Sequence, residues 1–170
     1  MADAPPYGSP DTVATVTTID HVYVAVGDLA RAERFYDRVM RLLGFRKGTT
    51  PIAGEPHLHY FNQVTQYTLR PARSGTHDPY APGLHHLCFR VATRAEVDAV
   101  AAALNQLGID ASAPRLYPEY AEDYYATFFV DPDGIRLEVC AERWMRTRVR
   151  ENWAELTAFE DPVTKAGWKR

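Results

Sequence analysis

The chain of 170 residues has few of the features that mark secreted, membrane-spanning or nucleic-acid-binding proteins. It has only two cysteines, both in apolar runs, whereas secreted disulfide scaffolds carry more of them at loop-like spacings. Its formal net charge is -3, with both signs spread along the sequence, so no strongly charged surface is predicted. No apolar run approaches the roughly 18 residues of a membrane-spanning helix. We therefore expect a cytoplasmic protein with reduced thiols that acts on a small molecule, without a nucleic-acid or membrane partner.

One strand pattern occurs twice along the chain. The stretch Gly-Leu-His-His-Leu-Cys-Phe-Arg-Val at 83–91 repeats the pattern of Ile-Asp-His-Val-Tyr-Val-Ala-Val at 19–26. When His21 is aligned with His86, each strand leads to a helix-starting residue, and each helix then ends at a Leu-Gly pair. A single module used twice explains this spacing.

Each copy has the pattern of one strand, one helix and three further strands. Strict alternation predicts the first strand at 15–26, and helical spacing of apolar residues after the capping residue Asp28 predicts the helix. The second copy starts with a strand at 86–91 and a helix whose capping box begins at Thr93. The further strands are predicted at residues 45–47, 57–62, 66–70, 110–111, 124–130 and 135–140. The sequence thus predicts an α+β fold of two βαβββ modules.

The remaining segments suggest a simple domain organisation. We expect a disordered N-terminus over 1–14, one domain over 15–141, and a helical tail over 142–170. Within the domain, the modules occupy about 15–72 and 83–141, and a linker rich in proline and small residues joins them over 73–82. The first ten residues lack the cationic start and apolar centre of a signal peptide. In the tail, one side of the expected helix carries Trp144, Met145, Val149, Trp153 and Leu156.

Two histidines and a glutamate are the first candidates for chemistry. A lone strand histidine is more often a hydrogen-bonded structural residue, but the repeat places His21 and His86 at equivalent positions. If the equivalent strands lie side by side, both face one concave side, and Glu138 points into it from a neighbouring strand. Two imidazoles and a carboxylate suit one divalent ion such as iron, manganese, nickel, cobalt or zinc. The alternative for Glu138, which lies between apolar strand residues, is an ion pair with Arg90 or Arg136.

The repeat, the Asp-His-Val strand, the Gly-Leu-His-His-Leu strand and the ending Asp-Pro-Asp-Gly-Ile-Arg-Leu-Glu-Val resemble the vicinal oxygen chelate superfamily over about 17–141. That superfamily groups glyoxalases, bleomycin-resistance proteins and extradiol dioxygenases. The resemblance implies a U-shaped, barrel-like mixed sheet around one metal, with His21, His86 and Glu138 at the matching ligand positions. It also implies module pairing within or between chains, and with the tryptophan-rich tail we expect a homodimer. His85 has the opposite strand parity and is expected to point towards the helix side.

The resemblance also locates two departures from the family pattern. Glyoxalase I-like members carry a ligand in the last strand of the first module, where the alignment places Thr68, with Gln66 and Glu55 as alternatives. Extradiol dioxygenases and fosfomycin-resistance proteins carry a tyrosine where this chain has Phe128. The general base is left open by these positions, and Tyr124 is the catalytic candidate beside Glu138.

Further residues share the strand parity of the ligands and are expected to line the substrate cavity. They are Tyr23, Thr68, Arg70, Cys88, Arg90, Phe128 and Arg136. The arginines suit a carboxylate or phosphate on the substrate, or equally lie at strand ends as surface charges. His57 and His59 share one strand face and could add a ligand, although an exposed strand edge is their expected location.

Together these residues predict, through the resemblance, a divalent-metal-dependent glyoxalase-like enzyme of the lyase or isomerase type. The metal would activate a small oxygenated substrate as a Lewis acid. The alternatives are an extradiol-type dioxygenase and a non-catalytic protein that binds and sequesters a small molecule such as a drug or antibiotic.

Overall fold

A computed structural model describes residues 12–155 of the chain. Most of the expected disordered N-terminus, and Leu156 and the rest of the tail beyond it, lie outside the described residues. The elements run in the order β1 (His21–Val26), α1 (Leu29–Leu42), β2 (Arg46–Gly48), β3 (Leu58–Phe61), β4 (Gln66–Pro71), β5 (His86–Val91), α2 (Arg94–Gln106), β6 (Arg115–Leu116), β7 (Tyr125–Val130), β8 (Arg136–Ala141) and α3 (Trp144–Glu151). The structure confirms the α+β class and the two βαβββ modules.

Each module forms one four-stranded mixed sheet, with strand orders β1-β4-β3-β2 and β5-β8-β7-β6. The first strand of each module runs parallel to the last, and the other neighbours are antiparallel. In this register Tyr23 lies beside Thr68 in the first module, and Cys88 lies beside Glu138 in the second. Thr68 and Glu138 therefore occupy equivalent positions, as the repeat predicts.

The helices begin and end where their sequence signals place them. The Asp28 side chain accepts a backbone N–H of the first turn of α1 at 2.9 Å. At α2 the Thr93 hydroxyl accepts the Glu96 N–H at 3.2 Å, while the Glu96 carboxylate accepts the Thr93 N–H at 2.8 Å. The chain then reverses at Gly44 (φ 80°) and Gly108 (φ 72°), in the left-handed region that favours glycine.

One apolar core joins the two modules. Helix α1 contributes Phe35, whose ring lies 6.5 Å from that of Phe129 in β7. In β5 the Phe89 ring lies 6.1 Å from Phe45 and 6.0 Å from Tyr67 of the first module. Fully buried side chains from both modules complete this core, among them Val26, Met40, Leu69, Leu104, Leu137 and Val139. Burying each large apolar side chain stabilises the fold by about 1.5–3 kcal/mol, so the modules depend on one another.

Polar contacts at the turn before β8 strengthen this junction. The buried Tyr36 hydroxyl of α1 donates to Asp131 at 2.9 Å, and burial raises the pKa of both groups. Asp133 accepts from the Arg31 guanidinium at 2.5 Å and from the Gly27 N–H at 3.0 Å. A Cβ at Gly27 would lie 2.9 Å from the Asp133 carboxylate, which explains a glycine at this close approach. The turn therefore attaches the second module to the first.

The packing determines where the other face of each sheet points. The side chains opposite in parity to His21 and His86, such as Val24 and Leu137, belong to the shared core. The faces that carry His21 and His86 are consequently the outer faces of the two sheets, on the side opposite to the shared core.

Two strands differ from the prediction by more than one residue. Residues 15–20 are not strand, because β4, the partner of β1, begins at Gln66 opposite His21. The strand expected at 110–111 lies instead at Arg115–Leu116. The Asn105 side chain bonds both the N–H and the carbonyl of Ala111, at 3.1 and 3.2 Å. These bonds tie residue 111 to the last turn of α2, so its backbone groups are not paired with a strand.

The described part of the tail forms a helix, α3, as predicted. Met145 and Val149 are buried, whereas Trp144 and Trp153 are 40% and 37% exposed. The first N–H of α3 donates to the Asp123 carboxylate at 2.8 Å, which ties the helix to the loop before β7. Among the helices of residues 12–155, none has the length and apolar character needed to cross a membrane.

Candidate metal centre

Glu138 lies in the middle of β8 and is only 1% exposed, although it is a carboxylate. The Tyr124 hydroxyl donates to one carboxylate oxygen, Oε1, at 2.6 Å. The other oxygen, Oε2, lies 3.5 Å from Nε2 of His86. Burial raises the pKa of Tyr124 most, and its hydrogen bond to Glu138 raises it further, so the phenol keeps its proton and donates it to this bond. The structure thus brings together His86, Glu138 and Tyr124, three of the residues singled out from the sequence.

The arginines do not neutralise this carboxylate. Arg90 pairs with Glu142 at 2.8 Å, and Arg136 donates to the Tyr80 hydroxyl at 3.0 Å. The alternative explanation of Glu138 as the partner of Arg90 or Arg136 is therefore wrong. Both arginines find partners at the strand ends.

A cavity of about 730 Å³ opens over this face of the second module. Of the expected site residues, it is lined by His86, Tyr124, Phe128, Arg136 and Glu138. Tyr117 and Tyr120 form part of its wall, with their rings stacked 5.8 Å apart. Five of the twelve lining residues are tyrosine or phenylalanine, and Glu138 is among the polar ones.

His85 also lines this cavity, contrary to the expectation that it points towards the helix side. Its Nδ1 lies 2.8 Å from Nδ1 of His86, and its Nε2 lies 3.5 Å from the Arg136 guanidinium. The strand begins only at His86, so the alternation of side chains does not apply to residue 85.

The first module carries its own polar face. His21 bonds the Asp20 carboxylate through Nδ1 at 2.8 Å, and its side chain is 54% exposed. The Tyr23 ring lies 5.3 Å from His21 and 6.1 Å from His57. Among the described residues of one chain, no hydrogen bond or ring contact joins His21 to His86 or Glu138.

His57 and His59 are buried on this same face, each only 5% exposed, so the expected exposed strand edge is wrong. His57 donates from Nδ1 to the Glu55 carbonyl at 2.9 Å, which leaves a lone pair on Nε2. His59 is bound at both nitrogens, by the Thr68 hydroxyl at 3.0 Å and the Thr50 carbonyl at 3.1 Å. His57 is the residue that sequence reasoning undervalued, and its one signal was its spacing of two residues from His59.

Thr68 and Arg70 have partners that limit their roles. Thr68 is completely buried, and its hydroxyl accepts from the Gln66 amide at 2.7 Å as well as contacting His59. Arg70 pairs with the carboxylate of Glu55, which Arg73 also binds at 3.0 Å. The bond from Arg73, reinforced by the charges of both arginines, lowers the pKa of Glu55. Thr68 therefore hydrogen-bonds its neighbours, and each carboxylate oxygen of Glu55 is bound by an arginine.

The two cysteines lie next to Glu138. The sulfur atoms of Cys88 and Cys140 and a carboxylate oxygen of Glu138 lie within 4.8 Å of one another. A hydrogen bond shared by the thiols raises the pKa of Cys88 and lowers that of Cys140. Cys88 also lines a second cavity, of about 390 Å³, together with Arg90.

The candidate ligands share one arrangement that fits a metal ion. His21, His86 and Glu138 each have one polar atom held by a neighbour: Nδ1 by Asp20, Nδ1 by His85, and Oε1 by Tyr124. Metal-binding histidines and carboxylates are commonly held in this way by an outer partner, which orients the ligating atom. The chemistry of these donors suits a divalent ion, and within one chain two of them, His86 and Glu138, lie together.

A sequence profile of the Glyoxalase/Bleomycin resistance protein/Dioxygenase superfamily matches residues 18–139. The match covers both modules and all three candidate ligands, and the chain belongs to this superfamily.

Known relatives agree with this assignment. The uncharacterized protein YqjT of Bacillus subtilis (strain 168) is 26% identical over 125 residues, which are 71% of this chain and 96% of that protein. Lactoylglutathione lyase from Agrobacterium tumefaciens has the same fold, with a TM-score of 0.57 and 23% identity over 75% of this chain and 96% of that one. A point mutant of the fosfomycin resistance protein FosX from Listeria monocytogenes, complexed with Mn(II) and 1S,2S-dihydroxypropylphosphonic acid, gives a TM-score of 0.59 at 14% identity over 78% of this chain and 98% of that one.

Proposed function

We propose that the protein is a divalent-metal-dependent enzyme of the glyoxalase-like lyase or isomerase type. The observation that carries the proposal is the orientation of the three candidate ligands, each held at one atom by Asp20, His85 or Tyr124. Lactoylglutathione lyase and Mn(II)-bound FosX, which share the fold, supply precedents for lyase chemistry and for a bound divalent ion.

We further propose that the ligand set is completed between two chains. In one chain His21 lies on the outer face of the first module, while His86 and Glu138 lie on the outer face of the second. The edge strands β1 and β5 each have only one neighbour in their sheet, which leaves one edge of each open for approach by a second copy. A two-fold dimer would bring His21 of one chain to His86 and Glu138 of the other, twice over.

The residues of the cavity have separate tasks in this proposal. A bound divalent ion would supply Lewis-acid polarisation of a substrate carbonyl. Glu138 and the two histidines hold the ion, and Tyr124 orients Glu138. Arg136, on the cavity wall, is placed to bind an anionic group of the substrate.

His57 is the best candidate for a base or an additional ligand on the first module. Thr68, at the position equivalent to Glu138, is buried, while Glu55 is bound by arginines and His59 by hydrogen bonds at both nitrogens. Like His21, His57 keeps Nε2 with a lone pair and no protein partner in the described residues, but unlike His21 it is buried. An imidazole nitrogen with a lone pair can act as a base or as a metal ligand.

An extradiol-type dioxygenase is the second candidate, and one contact favours it. Phe128 stands where that branch has a tyrosine. Tyr124, which directly precedes β7, nevertheless places its hydroxyl 2.6 Å from the Glu138 carboxylate. A phenol beside a ligand carboxylate could serve the same acid-base purpose.

The test is metal content followed by turnover. Protein stripped with chelator and reloaded with Mn²⁺, Fe²⁺, Ni²⁺, Co²⁺ or Zn²⁺ is assayed on a hemithioacetal and on catechols. We expect metal-dependent turnover, and we expect His86→Ala and Glu138→Gln to lose metal. Glu142→Gln, which changes a carboxylate paired with Arg90 beyond the strand, is the matched control and should retain it. Equal retention in all variants would contradict the ligand assignment, and binding without turnover would favour a sequestering protein.

A further inference from the structure

Two thiols and a carboxylate converge on one face of the second module. The sulfur atoms of Cys88 and Cys140 and an oxygen of Glu138 all lie within 4.8 Å of one another. In the parallel pairing of β5 with β8, Cys88 lies beside Glu138 and Cys140 lies beside Arg90. All three side chains therefore leave adjacent strands on the same face, and none depends on a flexible loop for its position.

The spacing of the two thiols suits an ion better than a disulfide. Both cysteines are free, and they are diagonal rather than directly opposite in the pairing of β5 and β8. Diagonal neighbours on adjacent strands are about 7–8 Å apart, and a disulfide usually needs Cα atoms within about 6.8 Å. Two bonds of about 2.3 Å to one tetrahedral ion place sulfur atoms about 3.8 Å apart, so an ion can bridge them without moving the strands.

The surroundings support ligation and leave a way in. Cys140 is 7% exposed and packs with Tyr117 and Ala126, which keep bulk water away from it. Tyr124 donates to one oxygen of Glu138 at 2.6 Å, as an outer partner does for a ligating carboxylate. Cys88 lines the second cavity beside the open edge of β5, and this cavity provides an entry path.

We propose that Cys88, Cys140 and Glu138 form a binding site for a soft divalent cation of the Zn²⁺ or Cd²⁺ class. Thiolate ligands select such ions over Mn²⁺ or Mg²⁺. On binding, each thiol releases its proton to solvent and forms a bond from sulfur to the ion. The site lies within a single chain and does not rest on the proposed function. It shares Glu138 with the set of His21 and His86, so a soft cation bound here displaces a harder ion from that set.

Cadmium titration of the reduced, chelator-treated full chain tests the site. The sequence holds only two cysteines, so any thiolate-to-cadmium charge-transfer absorption comes from Cys88 and Cys140. We expect the band to saturate at one ion per chain. Because they remove a direct ligand, Cys88→Ser and Cys140→Ser should each weaken cadmium binding by at least about tenfold.

Two further variants separate this site from the proposed function. Glu138→Gln should weaken cadmium binding but keep the charge-transfer band, since both sulfurs remain. His21→Ala should leave the cadmium band unchanged while it lowers Mn²⁺ retention. Loss of Mn²⁺ retention in His21→Ala without any cadmium band in the wild type would overturn the thiol site alone. A cadmium band without Mn²⁺ binding would overturn only the proposed function.

A measurement on the unmodified protein guards against variants that misfold. Cadmium should slow the reaction of both thiols with a disulfide reagent, whereas the same concentration of Mn²⁺ should not. Protection of one thiol only, or a band that saturates at one ion per two chains, would overturn the proposal, because it would show a single sulfur ligand or a bridge between chains.

Discussion

At the residue scale, Glu138 is held by Tyr124, which the sequence offered as a catalytic candidate. The family pattern directed attention to Phe128, whereas the Tyr124 hydroxyl donates to Glu138. Both residues lie on the cavity face, because Tyr124 and Phe128 have the same parity. Strand parity thus indicated the correct face but did not reveal which side chain contacts the Glu138 carboxylate.

The bond between Tyr124 and Glu138 leads to a stability prediction. Tyr124→Phe leaves a carboxylate oxygen without its donor in a residue that is 1% exposed. We expect a loss of about 1–3 kcal/mol in the free energy of unfolding, measured by urea denaturation with chelator present. Tyr120→Phe is the control, since that ring is 62% exposed, and it should change stability by less than about 0.5 kcal/mol. Equal effects of the two variants would contradict this prediction, because they would show that water can donate to Glu138 in place of the Tyr124 hydroxyl.

Strand parity predicted much of the site and failed where its assumptions end. His86, Phe128, Arg136 and Glu138 line one cavity, as alternation along the strands requires. His85 was misplaced because it precedes the strand. The burial of His57 and its hydrogen bond to the Glu55 carbonyl depend on tertiary packing, which alternation along a strand does not encode.

At the element scale, the turn Asp-Pro-Asp-Gly at 131–134 has a role that its sequence does not show. The sequence predicts a tight hairpin turn there, and β7 and β8 confirm it. Asp131 in the same turn also accepts a hydrogen bond from the Tyr36 hydroxyl of α1, 95 positions earlier in the chain. Local signals such as caps and turns predicted the helices well, but short strands such as β6 depend on tertiary partners and were misplaced.

The hydrogen bond between Tyr36 and Asp131 should contribute to the coupling of the two modules. Tyr36→Phe removes a buried hydroxyl that donates to Asp131 at 2.9 Å and lies 3.1 Å from the Tyr67 hydroxyl. We expect a loss of about 1–3 kcal/mol in the free energy of unfolding, measured by urea denaturation. Tyr125→Phe is the matched control, because its hydroxyl bonds Asp98 near the surface, and it should cost less than about 1 kcal/mol. A Tyr36→Phe variant as stable as Tyr125→Phe would contradict this role.

At the scale of the whole molecule, the sequence repeat is consistent with two arrangements. Equivalent modules can pair within a chain or between chains, and the ligand positions are the same in both. Our proposal of the second rests on the shared core, because Phe89 packs on Phe45 and Tyr67 on the side of β5 opposite to His86. This packing combines residues from distant parts of the chain, so the repeat alone could not predict it.

Mixing two inactive variants distinguishes the arrangements. If the ligands come from two chains, a mixed dimer of His21→Ala with His86→Ala contains one complete site, because the second variant supplies His21 and the first supplies His86 and Glu138. Random reassortment at equal amounts gives mixed dimers in half of the population, so metal binding should return to about one quarter of the wild-type level, in line with two-fold symmetry. Mixing His86→Ala with Glu138→Gln is the control and should restore nothing, since these ligands belong to the same module. A monomer in light scattering, or no recovery after verified subunit exchange, would place the complete ligand set within one chain and contradict the packing inferred for the two faces.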